Sequence, residues 1–111
     1  MYQGTNPTLI LPVENVDLSN QTVQVAFRDA TGNVTIRSTP DIDIVYEDGN
    51  SFIFIPFSQE QTLQMPAGVC QVEVRSINAQ GLATISYIAS MDVIGSMTKN
   101  VISYQGGNAN E

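Results

Sequence analysis

Residues 82–94, which read Leu-Ala-Thr-Ile-Ser-Tyr-Ile-Ala-Ser-Met-Asp-Val-Ile, decide the fold of this chain. From position 83 to position 93 every second residue is apolar, and the residues between them are polar except for Ile88. Side chains of a β-strand point alternately to opposite faces, so this pattern predicts a strand with one buried face. Ile88 is the one apolar residue that the pattern places on the polar face.

The same period of two recurs upstream, between turn signals such as Gly32, Asp48–Gly49 and Gln80–Gly81. Seven strands are predicted: Thr8 to Leu11, Thr22 to Asp29, Asn33 to Ser38, Ile42 to Glu47, Ser51 to Phe57, Val69 to Asn78 and Leu82 to Ile94. Ser58 to Gln61 resembles a capping box, which predicts one helical turn through Thr62 or Leu63.

The regular spacing of short strands predicts an all-β fold, an immunoglobulin-like antiparallel β-sandwich of about seven strands with extended termini. We expect residues 1–95 to form the sandwich with an N-terminal arm, and residues 96–111 to be a partly disordered C-terminal extension. The core is predicted to consist of Val23, Val25, Phe27, Val34, Ile36, Val72, Val74, Ile85, Tyr87, Ala89 and Met91.

The charge balance argues against several classes of partner. The chain of 111 residues has eleven acidic residues against four basic ones, giving a net charge of −7. Arg28, Arg37, Arg75 and Lys99 are scattered singly, so we expect no nucleic-acid partner and no anionic membrane surface. No basic segment followed by an apolar run opens the chain, and we therefore expect no signal peptide.

The residue inventory predicts that the protein is not an enzyme and has no cofactor or metal. Histidine is absent, which excludes Ser-His and Cys-His mechanisms. Cys70 alternates with valines on an apolar face and is predicted to be a small buried hydrophobe. The acidic stretch from Asp41 to Asp48 does not have the spacing of a known calcium loop, and solvated edge charges explain it.

Alternation fails in the fifth strand, where both faces are apolar. Only one face of a sandwich strand points into the core, so one of two sets should lie outside: Phe52 with Phe54, or Ile53 with Ile55 and Phe57. We predict that the outer set is exposed in the isolated chain and buried in an assembly. The alternative is that a segment of the same chain, either Asp41 to Glu47 or the C-terminal segment, covers the outer set.

Isolated apolar residues in the termini are further candidates for contact. They are Tyr2 in the N-terminal arm, Met1 to Pro7, and Met97, Val101, Ile102 and Tyr104 in the C-terminal segment, Gly95 to Tyr104. Met97, Val101 and Tyr104 have a spacing that would place them on one helical face. Both segments are predicted to be docking elements, the alternative being packing on the domain's own surface or fraying.

Aromatic residues raise a second class of function, a carbohydrate-binding or adhesive module for attachment to cell-surface carbohydrate. The chain has no Trp, and most of its rings are predicted core residues. Tyr2, Tyr46 and Tyr104 are left for outward contact, and an exposed concave cluster of aromatics at a loop end would distinguish this class. An immunoglobulin-like domain of a host protein, a third class, would be expected in a longer chain.

The opening Gln3, Gly4, Thr5, Pro7, Thr8 resembles the start of small structural proteins encoded in tail or head morphogenesis regions of phages and prophages of Gram-positive bacteria. The resemblance covers about the first 95 residues and continues in three further places, namely the turn at Gln59, Thr62 and Leu63, the strand Val72, Glu73, Val74, Arg75, and a final strand ending in Asp92 and Val93. Cys70 and the apolar residues of Ile42 to Tyr46 depart from it.

That resemblance implies a tail, baseplate or head-associated virion protein that is made in the host cytoplasm. Its implied partners are other virion proteins and copies of itself. Position in the particle is left open.

Overall fold

The computed structural model describes residues 1–104, and within them the chain forms seven strands and one short helix. The elements are β1 (Thr8–Val13), β2 (Thr22–Arg28), β3 (Val34–Ser38), β4 (Asp43–Glu47), β5 (Asn50–Pro56), α1 (Gln59–Leu63), β6 (Gly68–Ile77) and β7 (Ala83–Val93). All seven predicted strands are present, and β1 continues past Pro12, where the sequence predicted it to stop.

The strands form two antiparallel sheets that pack against each other. One sheet has three strands in the order β1-β5-β4, and the other has four in the order β3-β2-β6-β7. Side chains from both inner faces meet in one core, as two stacked sheets require. The predicted all-β sandwich is therefore confirmed.

Most of the fully buried side chains lie on the central strands of the two sheets. The fully buried side chains include Leu18, Val23, Val25, Ile53, Ile55, Cys70, Val72 and Val74. The predicted core residues of β2 and β6 are all among the buried ones, because central strands are flanked on both sides and covered by the opposite sheet. Each such side chain contributes about 1.5 to 3 kcal/mol relative to exposure.

Two predicted core residues, Val34 and Ile36, are instead 54% exposed. Direct cross-strand partners share a face, and Phe27 of the core is paired with Thr35. Thr35 therefore lies on the core side and its neighbours lie outside. The hairpin loop fixes this register, since the Asp29 carboxylate accepts hydrogen bonds from the Thr31 backbone N–H at 2.9 Å and the Asn33 N–H at 3.1 Å.

The apolar face of β7 is only partly buried. Ile85, Tyr87 and Met91 pack against the core but are not enclosed, because β7 is an edge strand with a neighbour on one side only. Ala89 is likewise half-buried. Ile88, which breaks the alternation, is 67% exposed on the other face.

The predicted helical turn is confirmed as α1, with the capping box in place. The Ser58 hydroxyl accepts from the Gln61 backbone N–H at 3.1 Å, and the Ser58 N–H donates to the Gln61 side chain at 2.8 Å. These bonds satisfy donors that the first helical turn leaves without a partner. No helix within residues 1–104 has the length and apolar character needed to cross a membrane.

Candidate assembly surfaces

The structure assigns the two apolar sets of β5 to opposite faces. Ile53 and Ile55 are completely buried and Phe57 nearly so, which makes this set the inner one. Phe52 and Phe54 point away from the core and are half-buried. They are less exposed than the sequence predicted, because neighbouring strands shelter their flanks.

Apolar residues on both neighbouring strands extend the exposed side of β5 into a continuous band. Cross-strand pairing places Pro12 and Val45 on either side of Phe52, and Ile10 beside Phe54. Ile10 is 50% exposed and Val45 is 44% exposed. We call this band, which consists of Ile10, Pro12, Val45, Phe52 and Phe54, the outer face.

Neither of the two intrachain covers predicted from the sequence lies over the outer face. The segment around β4 is the neighbour of β5 within the same sheet, so it lies beside the two phenylalanines. The C-terminal segment runs past α1, where the Gln59 side chain donates to the Ile102 carbonyl at 2.9 Å and accepts from the Ile102 N–H at 2.7 Å. Within residues 1–104 the outer face therefore stays open.

The charges around the outer face are of one sign. Asp43 is the cross-strand partner of Phe54, and Glu47 ends the same strand. The three strands of this sheet contain no Lys or Arg. An apolar centre with an acidic rim is complementary to a surface with an apolar centre and a basic rim.

The N-terminal arm, predicted to be a docking element, is attached to its own domain. Gln3 is buried, and its amide nitrogen donates to the Met65 carbonyl at 2.6 Å. The Gly4 N–H donates to the buried Thr62 hydroxyl at 2.9 Å, and that hydroxyl also lies 2.9 Å from the Thr5 carbonyl. Of the aromatic and aliphatic side chains in the arm, that of Tyr2 is 64% exposed and available for outward contact.

We expect Thr62→Val to loosen the arm, because valine keeps the shape of the side chain but leaves the Gly4 N–H and the Thr5 carbonyl without partners. The free energy of unfolding should fall by about 1 to 3 kcal/mol. Denaturant titration measures this, with the exposed Thr22→Val as the matched control, which should change stability by less than about 0.5 kcal/mol. Equal effects of the two substitutions would contradict the role given to Thr62.

The C-terminal segment is not helical between Gly95 and Tyr104, so the predicted helical face of Met97, Val101 and Tyr104 is wrong. The backbone N–H of Ser96 donates to the Gln3 side chain at 2.8 Å, and that of Ile102 donates to Gln59. These side-chain partners attach the segment to the domain. Its apolar side chains, Met97, Val101, Ile102 and Tyr104, are all exposed, and residues 105–111, part of the predicted disordered extension, lie outside the described residues.

A crevice of about 270 Å³ opens beside β3 at the edge of the sandwich. The Arg37 guanidinium lies 5.3 Å from the centroid of the Phe57 ring and forms an ion pair with Asp41. Its Nη1 atom is buried and has no hydrogen-bond partner among residues 1–104. Asp41 balances the charge of the arginine and Asp29 places a carboxylate in the lining, so the crevice does not suit an anionic ligand.

The remaining candidates for chemistry are structural. Burial, with a smaller contribution from the Asp29 charge, raises the pKa of the Cys70 thiol, which keeps it protonated. Asp, Glu and Cys side chains of residues 1–104 form no group of three or more that could hold a metal ion.

Exposed tyrosines do not form a sugar-binding platform in the described part of the chain. Tyr2, Tyr46 and Tyr104 lie on different segments, the N-terminal arm, β4 and the C-terminal segment. The aromatic pair found among residues 1–104 is Phe27 with Phe57, whose centroids are 5.6 Å apart and which are both buried. The aromatic cluster that would distinguish a carbohydrate-binding module is therefore not seen there.

Comparison of the chain with protein-family models and with curated proteins gives no match. Function has to follow from the surfaces described above and from the resemblance carried by the sequence.

Proposed function

We propose that this chain is a non-enzymatic structural protein of a phage virion, a tail, baseplate or head-associated component that assembles through its sandwich surfaces and its terminal segments. The observation that carries the proposal is the open outer face. Ile10, Val45, Phe52 and Phe54 give it a centre of large apolar side chains on a rigid sheet.

An apolar face of this kind is unfavourable in water and is typical of protein contact sites. Covering a large apolar side chain gains about 1.5 to 3 kcal/mol when its exposure is complete, and proportionately less when it is half-buried. Contiguous apolar surface rimmed by polar residues commonly marks an interface. The flanks of Phe52 and Phe54 are held by neighbouring strands, so little side-chain entropy would be lost when a partner covers them.

The acidic rim points to the character of the partner. Asp43 and Glu47 would meet basic side chains on another virion protein, which favours encounter and excludes a second acidic surface of the same kind. The chain itself has a net charge of −7, so the partner at this face is a different protein. Synthesis in the host cytoplasm and incorporation into the particle complete the proposed role.

Particles purified from a host that carries the encoding phage or prophage test the proposal. The chain should co-purify with intact particles through a density gradient and stay bound at salt concentrations that remove loosely attached protein. Mass spectrometry should find it in a fixed ratio to the other virion proteins. Its confinement to the soluble lysate would reject the proposed function.

Deletion of residues 96–111 is expected to leave the fold intact and to abolish incorporation into particles. The described part of this segment is attached by a part-buried hydrogen bond to Gln3 and an exposed one to Gln59, so its loss should cost the domain about 1 to 3 kcal/mol. Exposed Met97, Ile102 and Tyr104 would be removed from the contact. Circular dichroism checks the fold, and unchanged incorporation of the truncated chain would refute a docking role for this segment.

A further inference from the structure

The sandwich has four edge strands, and three of them are protected against pairing with another chain. Edges expose unpaired backbone groups, and proteins protect them by shortness, charge or proline. β1 contains Pro12. β3 has five residues and carries Arg37, and β4 has five residues and carries two acidic residues. β7 differs: it has eleven residues, and positions 83–91 contain no charge, proline or glycine.

The pairing of β7 shows which of its backbone groups face outward. Along an antiparallel strand, the N–H and C=O groups of successive residues point to alternate sides. When this alternation is followed from the hydrogen bonds between β2 and β3 across the registers of β2 with β6 and of β6 with β7, the groups of odd-numbered β7 residues point toward β6. Even-numbered residues therefore face the free side. The N-terminal arm agrees with this, because the Met1 amino group donates to the Asp92 carbonyl at 2.7 Å.

The arm also shows that this edge accepts an added strand. Residues Met1 to Gln3 run parallel to the end of β7, with the Ile94 N–H donating to the Met1 carbonyl at 2.7 Å and the Gln3 N–H donating to the Ile94 carbonyl at 2.9 Å. The arm covers the edge of β7 only from Asp92 onward. On the N-terminal side of Asp92, no backbone hydrogen bond from residues 1–104 engages the outward N–H and C=O groups of Ile88 and Ser90.

We propose that this open edge pairs with the β7 edge of a second copy of the chain, antiparallel and across a twofold axis at Ile88. The two four-stranded sheets then become one continuous sheet of eight strands. An antiparallel strand paired with itself is self-complementary in its hydrogen bonds, as a twofold interface requires. The inference rests on the proposed function in that it gives a structural protein a partner, and it uses a surface separate from the outer face.

Charge and side-chain placement favour a second copy at this register. Each chain carries −7 overall, yet the seam from 83 to 91 is uncharged, and the pairing ends before Asp92, whose carbonyl is already bonded to the Met1 amino group. The 67% exposed Ile88 would pack against its own counterpart beside the axis. This contact gives a reason for the single break in the alternation of β7.

Sedimentation of the purified full chain tests the inference, and twice the 12.0 kDa chain mass is the expected result at concentrations of tens of micromolar. Ile88→Lys places two ammonium groups beside the axis and should weaken self-association at least about 100-fold. Ile36→Lys is the matched control, with the same substitution at a 54% exposed position of the opposite edge strand, and it should remain dimeric. Circular dichroism and thermal unfolding confirm that both variants are folded.

Complementary charges supply a second measurement that does not depend on the loss of an interaction. Mixing Ile88→Lys with Ile88→Glu should restore a dimer that neither variant forms alone. The Phe52→Thr, Phe54→Thr variant should stay dimeric, which separates this inference from the outer face. A monomeric wild-type chain, a dimer unaffected by Ile88→Lys, or equal disruption by Ile36→Lys would overturn the proposal.

Discussion

An Ile53→Ser, Ile55→Ser double variant is expected to be unfolded at 25 °C. Both side chains are completely buried on the central strand of the three-stranded sheet, where Ile53 lies between Leu11 and Ile44 and Ile55 lies beside Leu9. Replacement of such an isoleucine even by alanine costs about 2 to 5 kcal/mol, and a buried hydroxyl without a partner adds to this. The combined loss is comparable to the whole stability of a domain, about 5 to 15 kcal/mol.

The matched control changes the other face of the same strand. Phe52→Ser with Phe54→Ser alters two half-buried side chains and should lower the free energy of unfolding by only about 1 kcal/mol per position. Circular dichroism and urea titration compare the two double variants. A folded inner variant, or an unfolded outer one, would reverse the assignment of the two faces.

The sequence showed that β5 has two apolar faces but could not tell which one points inward. The choice depends on pairing with strands that are distant along the chain. Ile53 lies between Leu11 and Ile44, whereas Phe52 lies beside Pro12. No periodicity within β5 itself contains that information.

Strand β3 shows how a hairpin loop can override an alternating pattern. Val34 and Ile36 look like an inward set when β3 is read alone, yet the loop that begins at Asp29 fixes a register that turns Thr35 inward. A shift of one residue moves every side chain of a strand to the other face. The pattern of β7 was more reliable, since its long run predicted an outward Ile88.

Side-chain hydrogen bonds between distant residues account for the other differences. Leu18 is fully buried in a loop with no periodic pattern, because its backbone N–H donates to the Ser51 hydroxyl at 2.9 Å. The N-terminal arm is held by the Thr62 hydroxyl, 58 residues away from Gly4. Such pairs are set by the folded chain and leave no local signal in the sequence.

The second large effect is expected from the outer face in the assembled particle. Phe52→Thr with Phe54→Thr should leave a folded chain that no longer joins particles, because the two rings lie at the centre of the outer face. Removal of central aromatic residues from an interface typically costs about 2 kcal/mol or more at each position. Losses of this size at two positions correspond to binding weaker by about 1000-fold.

Val34→Thr with Ile36→Thr serves as the control for surface hydrophobicity. These side chains are 54% exposed on the four-stranded sheet, away from the outer face. Incorporation of this control variant should be unchanged, which would show that the effect belongs to the outer face and not to apolar surface in general.

The most direct test is a competition within one cell. Wild-type chain and the Phe52→Thr, Phe54→Thr variant are expressed together, distinguished by the masses of their peptides, and their ratio is compared between the soluble lysate and purified particles. An assembly role for the outer face predicts that the variant is depleted in particles at least about tenfold relative to the lysate. An equal ratio in the two fractions would contradict it.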